Sequence, residues 1–469
     1  MALSPNKGRR ASAFIHKEFA VKKLTRKQSL TVGSLLFGML FGSGNVIFPP
    51  MLGQNAGGSY LPAAIGFLIA AVGLPILAII SFALSRKETL KDYAGQAGQG
   101  FGLFYTLLLL LTIGPLFAMP RNATVAFEVG IKPLLSGEAT LPLLIYSLVF
   151  FSLALYFSLR PAKILDVIGR FMAPLFIFLM GILLVMSFTS PMGNPASFEA
   201  QGAYAQASFS QGLIDGYQTM DVLACVAFGI TIITTIRQLG IRDEADIARE
   251  TGRSSLFTLV IMSILYLGLT YIGASSMGIM PGQENGGQIL VLTAKHYLGN
   301  PGLFLLGLTI TVACLKTVIG LAVSISQTFV RLFPHGPSDK AWTLTFIGVA
   351  FLLANFGLNA IIKLSVPALM FLYPLTITLI LLWLLNAVTP LKKTAFTLTI
   401  ILAAIPAFFD CLAATPEAIA KSAPISALLA FPENFLPLYK LGMGWLAPVA
   451  IALVLSLLFL RKKEGTTAA

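Results

Sequence analysis

Apolar runs of roughly 17 to 28 residues recur along the whole chain, separated by short polar or basic connections, a pattern that predicts membrane-crossing helices and not the short alternating strands of a barrel. Twelve such segments are expected, at about 28–50, 60–84, 101–129, 141–159, 164–188, 211–236, 254–279, 303–330, 341–358, 360–386, 394–414 and 441–460. The first is interrupted. Gly42-Ser43-Gly44-Asn45 sets two glycines and an amide into an apolar run that Pro49-Pro50 then close. Each glycine weakens a helix by roughly 1 kcal/mol relative to alanine, and hydrocarbon offers the Asn45 amide no partner. Backbone released at membrane depth survives only against protein or a water-filled cavity. A broken helix is therefore a candidate binding site, with close helix packing through small residues as the alternative.

Segment six carries a second interruption, Asp215-Gly216-Tyr217-Gln218-Thr219-Met220-Asp221, five segments after the first. An odd offset makes the two segments cross in opposite directions, as an inverted repeat of five helices plus five requires. Paired breaks at corresponding positions favour the binding-site reading over packing. The expected organisation is a basic N-terminal arm, 1–27, followed by a single all-α transmembrane domain, 28–463. Its repeats span about 28–188 and 211–386, with extra helices at 394–414 and 441–460.

Composition agrees with this picture. Of the 469 residues, 56% are hydrophobic and 11% charged, with a mean hydropathy of +0.85, whereas soluble domains carry about 25% charged residues. The formal net charge of +13 reflects topology and not a nucleic-acid partner: 25 of the 32 lysines and arginines fall on the side of the termini, which predicts that both termini are cytoplasmic. The basic start precedes a long apolar run without a small-residue cleavage site, so a retained first helix is expected and not a signal peptide. The loops around 189–210, 281–300 and 415–438 then face outward. Residues 237–253 alternate charge with Ile, Leu and Ala and predict a short helix on the cytoplasmic surface. Cys225, Cys314 and Cys411 show no metal or disulfide spacing. The expected partners are membrane lipid and a small-molecule substrate, with no obligatory protein partner evident.

Charged groups inside the apolar segments are functional candidates. Arg121 and Glu128 in segment three are seven residues apart, on one helix face, as a buried pair or as the lining of a vestibule. In segment eight, Ala313, Lys316, Thr317, Gly320, Ser324 and Gln327 form one small and polar stripe, with Lys316 about half-way along and too deep to snorkel easily. Ser365-Val366-Pro367 and Tyr373-Pro374 predict kinks in segment ten. No clustered acid–base or metal-ligating set and no phosphate loop occurs. That argues against an enzyme and against a cofactor.

Several stretches resemble the bacterial branched-chain amino acid:cation symporters, the BrnQ family. They are Phe41-Gly42-Ser43-Gly44-Asn45-Val46-Ile47-Phe48-Pro49-Pro50-Met51-Leu52-Gly53, Gly114-Pro115-Leu116-Phe117-Ala118 with Pro120-Arg121, Phe127-Glu128-Val129-Gly130, Gly216-Tyr217 with Thr219-Met220-Asp221, and Ser365-Val366-Pro367. The resemblance covers nearly the whole chain after the arm. It implies a fold like that of the leucine transporter, location in the bacterial inner membrane, and uptake of leucine, isoleucine and valine coupled to Na+ or H+. It further implies that Ser43 and Gly44 hold the substrate carboxylate, within a substrate site of Gly42, Ser43, Gly44, Asn45, Gly216, Tyr217, Thr219 and Asp221. A cation site would use Asn45, the carbonyls near Gly38 and Phe41, and the segment-eight residues Ala313 and Thr317. The chain departs from the family pattern at Lys316, where a small neutral residue is expected, so its ammonium is a surrogate for the cation. Met119 and Asn122 also stand where small hydroxyl residues are expected. A channel or sensor, or a transporter of another small amino acid, is the alternative.

Overall fold

The structure, a computed structural model, describes residues 23–160 and 163–461. The basic arm up to residue 22, and Lys462 and Lys463, which contribute to the charge asymmetry, lie outside the described residues. The described residues are helical apart from connections and one isolated bridge, Leu391 with Arg461.

Helix α1 (Arg26–Leu40) opens on a capping box, in which the Thr25 hydroxyl accepts the Gln28 N–H at 3.3 Å and the Gln28 side chain accepts the Thr25 N–H at 2.9 Å. It stops at Phe41, and α2 (Ser43–Ala56) restarts after the extended Gly42. Helices α3 (Tyr60–Leu68) and α4 (Leu74–Ser85) run into one another through a π-helical turn at Ile69–Gly73, and α5 (Leu90–Gly95) is a short connection. Next come α6 (Gln99–Leu111), α7 (Ala118–Gly130), α8 (Thr140–Leu159) and α9 (Lys163–Thr189). The second half begins with α10 (Ala203–Tyr217) and α11 (Asp221–Gln238), followed by α12 (Glu244–Ser276), α13 (Gly286–Leu332), α14 (Asp339–Ala354) and α15 (Leu358–Val388). The chain closes with α16 (Lys393–Ala413), α17 (Glu417–Ala420), α18 (Ala423–Phe435) and α19 (Leu446–Phe459). Among the described residues, eight helical stretches are long and apolar enough to cross a bilayer, and Pro174–Thr189 and Leu446–Phe459 are shorter apolar helices.

Two expectations from the sequence need correction, and segment three carries a break of its own. Segment three is not continuous: Gly114 is non-helical between α6 and α7, and Pro115 has no N–H to give to a helix ladder. The stretch 281–300 is not an open loop, because α13 starts at Gly286. Asn285 accepts the Gln288 N–H at 3.2 Å, and Ile289, Leu290, Val291 and Ala294 are buried. Residues 237–253 do not form a separate surface helix. Asp243 caps α12 through the N–H groups of Ala245 and Asp246, and that helix runs on without interruption to Ser276.

The core surrounds α2, in which every residue from Ser43 to Pro50 is buried. Two close approaches bring its backbone against α12: a Cβ added at Gly53 would strike the Thr270 carbonyl, and one added at Gly273 would strike the Pro50 carbonyl. Helices α10 and α3 meet in the same way, with Gly212 against the Ala63 carbonyl and Gly66 against the Phe209 carbonyl. Lacking side chains at these points, the helices gain dispersion contact across short interaxial distances, the main attraction available between helices in lipid. The periphery is apolar. Leu144, Ile145 and Leu148 of α8, Ile401 and Ile405 of α16, and Ile451 and Leu458 of α19 are exposed, as a lipid-facing surface requires.

Gly273→Val is expected to destabilise the bundle by at least about 1–3 kcal/mol through overpacking, read as a lower unfolding temperature in detergent. Gly348→Ala is the control, since a Cβ there meets nothing within 4 Å, and it should leave the transition unchanged or raise it slightly.

Candidate functional site

The two predicted interruptions lie side by side in the bundle. At the first, the Gly42 N–H donates to Asn45 Oδ1 at 2.9 Å, so the Asn45 side chain caps the new helix. At the second, Gln218, Thr219 and Met220 separate α10 from α11, and Met220 adopts a left-handed conformation (φ 63°, ψ 13°) that is unfavourable for a residue with a Cβ. The two breaks are tied together. Asn45 Nδ2 donates to Asp221 Oδ2 at 2.6 Å. Tyr266 of α12 completes the cluster, because its hydroxyl accepts from Asn45 Nδ2 and donates to Asp221 Oδ2 at 3.4 Å. Asn45 and Asp221 are almost wholly buried, at 1% and 3% exposure. A carboxylate so deep is tolerable only because these partners satisfy it.

Arg121 meets the same break from the other side. Its Nη1 donates to the Gln218 carbonyl at 2.6 Å and its Nη2 to the Thr219 carbonyl at 3.4 Å. These carbonyls directly follow the last turn of α10, where unsatisfied acceptors and the helix dipole favour a cation. The guanidinium also lies over the Phe48 ring, 5.3 Å from its centroid.

Between the breaks is a cavity of about 430 Å³. Gly42, Ser43, Gly44 and Asn45 line it from the first break, and Thr219, Met220 and Asp221 from the second. Arg121 and Asn122 reach it from α7, and Phe228 from α11. Toward the end of the bundle that holds the start of α1 it is lined by Ser34 and Gly38, and by Lys316, Thr317, Gly320 and Ser324 of α13. A second cavity, of about 540 Å³, lies beyond the breaks and is lined by Phe48, Asp215, Gln218 and Lys363 among others. Phe48 and Gln218 of this second lining are in contact with Arg121 of the first. Within the site, Ser43 Oγ, Arg121 Nε and Asn122 Oδ1 are buried without a hydrogen-bond partner.

Some residues singled out in the sequence lie elsewhere. Gly216 and Tyr217 do not line the cavity: a Cβ at Gly216 would come within 3.1 Å of the Phe67 carbonyl, and the Tyr217 ring stacks on Tyr373 at 4.1 Å. Phe41 packs on Phe37 and Phe176, at 5.1 and 5.3 Å, and neither it nor Ala313 is part of the lining. Arg121 and Glu128 do not pair. Two helical turns separate them along α7, and Glu128 instead accepts from Lys132 at 2.8 Å, Gln288 at 2.9 Å and Asn285 at 3.3 Å. Those contacts lie beside a different cavity, of about 300 Å³. Among the described residues there is no group of three His, Cys, Asp or Glu able to hold a metal ion. Sequence reasoning missed Tyr266, whose only signal is a phenol in an apolar run that needs a polar partner when buried.

The fold resembles known transporters. Mhp1, a nucleobase-cation-symport-1 family transporter, matches in its inward-facing conformation with a TM-score of 0.58 over 92% of this chain and 95% of that one, at 15% identity. A mutant of the manganese transporter of Eremococcus coleocola matches with a TM-score of 0.55 over 92% and 97%, at 12% identity. Sequence relatives are much nearer. The branched-chain amino acid permease BrnQ of Lactobacillus delbrueckii subsp. lactis is 41% identical over 435 residues, 92% of this chain and 96% of that protein. BrnQ of Bacillus subtilis is 37% identical over 91% of this chain and 95% of its own, and BrnQ of Escherichia coli 36% identical over 93% and 96%. Residues 25–463 match the family described as branched-chain amino acid transport protein. With that match and these permeases as relatives over most of its length, the chain belongs to the branched-chain amino acid transport protein family.

Proposed function

We propose that this protein imports leucine, isoleucine and valine across the bacterial inner membrane by cation symport, with the substrate held between the two helix breaks. The observation that carries this reading is the cavity itself, which joins the released backbone of both breaks to an apolar wall. The free N–H groups at the start of α2, at Ser43 and Gly44, suit the substrate carboxylate. The second break, with Thr219 and Asp221, supplies acceptors for the ammonium group. Phe228, Leu40, Ile113 and Leu321, which also line the cavity, receive the branched side chain. A methylene is worth only about 1–3 kcal/mol in such a pocket, so the three substrates should be poorly separated.

The reciprocal glycine contacts support a five-plus-five inverted repeat. The first segment meets the seventh through Gly53 and Gly273, and the sixth meets the second through Gly212 and Gly66. These are the same partners once segments one and six are exchanged. The reading extends to twelve crossings in one domain from residue 28 to 463, with both termini cytoplasmic. The cavity then opens toward the cytoplasm, and alternating access exchanges it with the cavity beyond Phe48 and Gln218.

The coupling ion is Na+ by family resemblance, but Lys316 projects a cation into the same cavity as Gly38, Asn45 and Thr317. Among the described residues its ammonium has no salt-bridge partner. We read it as a tethered replacement for a transported ion, which makes uptake independent of sodium or couples it to protons.

Counterflow of labelled leucine in proteoliposomes of the purified protein should show accumulation, inhibited by isoleucine and valine. Flux without accumulation indicates a channel, and accumulation of a different amino acid only would overturn the substrate. With sodium and pH gradients varied independently, wild-type uptake should ignore sodium and Lys316→Ala should make uptake sodium-dependent. A strict sodium requirement in the wild type ends the surrogate reading. Asn45→Leu removes a partner from buried Asp221 and the cap from α2, which costs about 1–3 kcal/mol at the site, so leucine affinity should fall about 5- to 150-fold.

A further inference from the structure

We infer that Arg121 is the residue that recognises the substrate carboxylate, and that carboxylate binding exchanges with its hold on the second helix break. The inference rests on the proposed function, because it takes the cavity to receive an α-amino acid.

A guanidinium carries five N–H donors in a planar fork. Here two contacts are made, both to neutral carbonyls, and the one at 3.4 Å is beyond the usual hydrogen-bond range. Arg121 Nε is buried without any partner. The side chain is only 3% exposed, and no carboxylate forms a salt bridge with it among the described residues. Asp221 lies within electrostatic reach, yet its Oδ2 is engaged by Asn45 and Tyr266. A buried cation with spare donors and only dipoles as direct partners is short of an anion.

The place for that anion lies beside it. A Cβ added at Gly44 would sit 2.9 Å from Arg121 Nη2, so the guanidinium rests directly on the first turn of α2, the end of a 14-residue helix where N–H groups are free. Ser43 Oγ, in the same turn, is buried without a partner, and Ser43 is 3% exposed. Donors from two separate elements therefore converge on one corner of the cavity. A carboxylate is the planar anion that an arginine fork binds through two parallel bonds. Glycine at 44 is what lets the fork approach.

The same nitrogens hold the Gln218 and Thr219 carbonyls. A carboxylate that takes up Nη donors weakens those bonds and frees the end of α10, so the presence of the carboxylate is felt at the second break. An amine with the same apolar side chain but no carboxylate leaves them intact.

The test is binding to the purified full-length protein, with leucine compared with leucinamide and isopentylamine, which lack the carboxylate. Wild type should prefer leucine by at least about 100-fold, as a site built to pair a charged group rejects analogues that lack it. Arg121→Gln should abolish most of that preference, by loss of leucine affinity with leucinamide changed less than about threefold, and Arg121→Lys, which keeps the charge but not the fork, should fall between. If Arg121→Gln does not fold, Arg121→Lys decides, since it keeps the buried charge and removes only the fork. Loss of preference with folding retained supports the inference. Leucine and leucinamide affinities that fall in parallel in a folded variant, or a preference unchanged in Arg121→Lys, would leave Arg121 a structural clasp and overturn it. A wild type that binds no amino acid refutes the proposed function instead, and binding without a preference for leucine over its amide overturns the role of Arg121 alone.

Discussion

The hydrogen bond from Asn45 to Asp221 is the contact on which the site depends. Two helices stop inside an apolar slab, and each stop releases N–H and C=O groups that lipid cannot satisfy. Asn45 caps its own helix with one end of its amide and reaches the other break with the other end. The broken strands of backbone are thereby fixed against each other with a gap between them. Tyr266 makes the bond three-cornered, so neither break can move without disturbing a helix that is itself unbroken.

Around this clasp the charges are arranged with economy. Asp221 begins α11, where the positive end of the helix dipole favours an anion, and Arg121 approaches the end of α10, where the negative end favours a cation. Each charge thus offsets the dipole of the half-helix that it touches. Further along α7, Glu128 collects Lys132, Asn285 and Gln288. One helix therefore serves a polar cluster at mid-depth and another near its end, and the two do not share partners.

Much of this was legible in the chain. Gly42 to Asn45 and Gln218 to Asp221 announce breaks because glycine, amide and carboxylate have no place in a continuous apolar helix, and their residue types name the chemistry the gap can hold. What was hidden is tertiary. That Gly216 supports packing and not the cavity depends on Phe67 lying behind it, and Tyr217 turns away because Tyr373 offers a ring to stack on. The spacing of Arg121 and Glu128 put them on one helical face, but spacing says nothing of what stands between two turns. Gln218 and Thr219 supply nearer acceptors to the first, and Lys132 a nearer cation to the second. The stretch 281–300 reads as a loop because Pro281, Gly282, Gln283, Glu284, Asn285, Gly286 and Gly287 open it, and the apolar run Ile289–Leu292 that follows is too short to announce a helix by itself.

The glycine contacts of α2 with α12 and of α10 with α3 have a mechanical consequence. Backbone pressed on backbone has no side chain to change rotamer and absorb a displacement, so these helices cannot slide past their partners by small steps. The Tyr266 ring of α12 packs edge-on against Phe67 of α3, 5.3 Å between centroids, and joins the two pairs, so the four helices form a block that transmits load. Softer joints lie outside this block: the unwound joint at Gly114 and the positive-φ kink at Gly299 within α13. The stiff part of this protein is the part that holds its breaks, and its compliance lies in joints that stand apart from them.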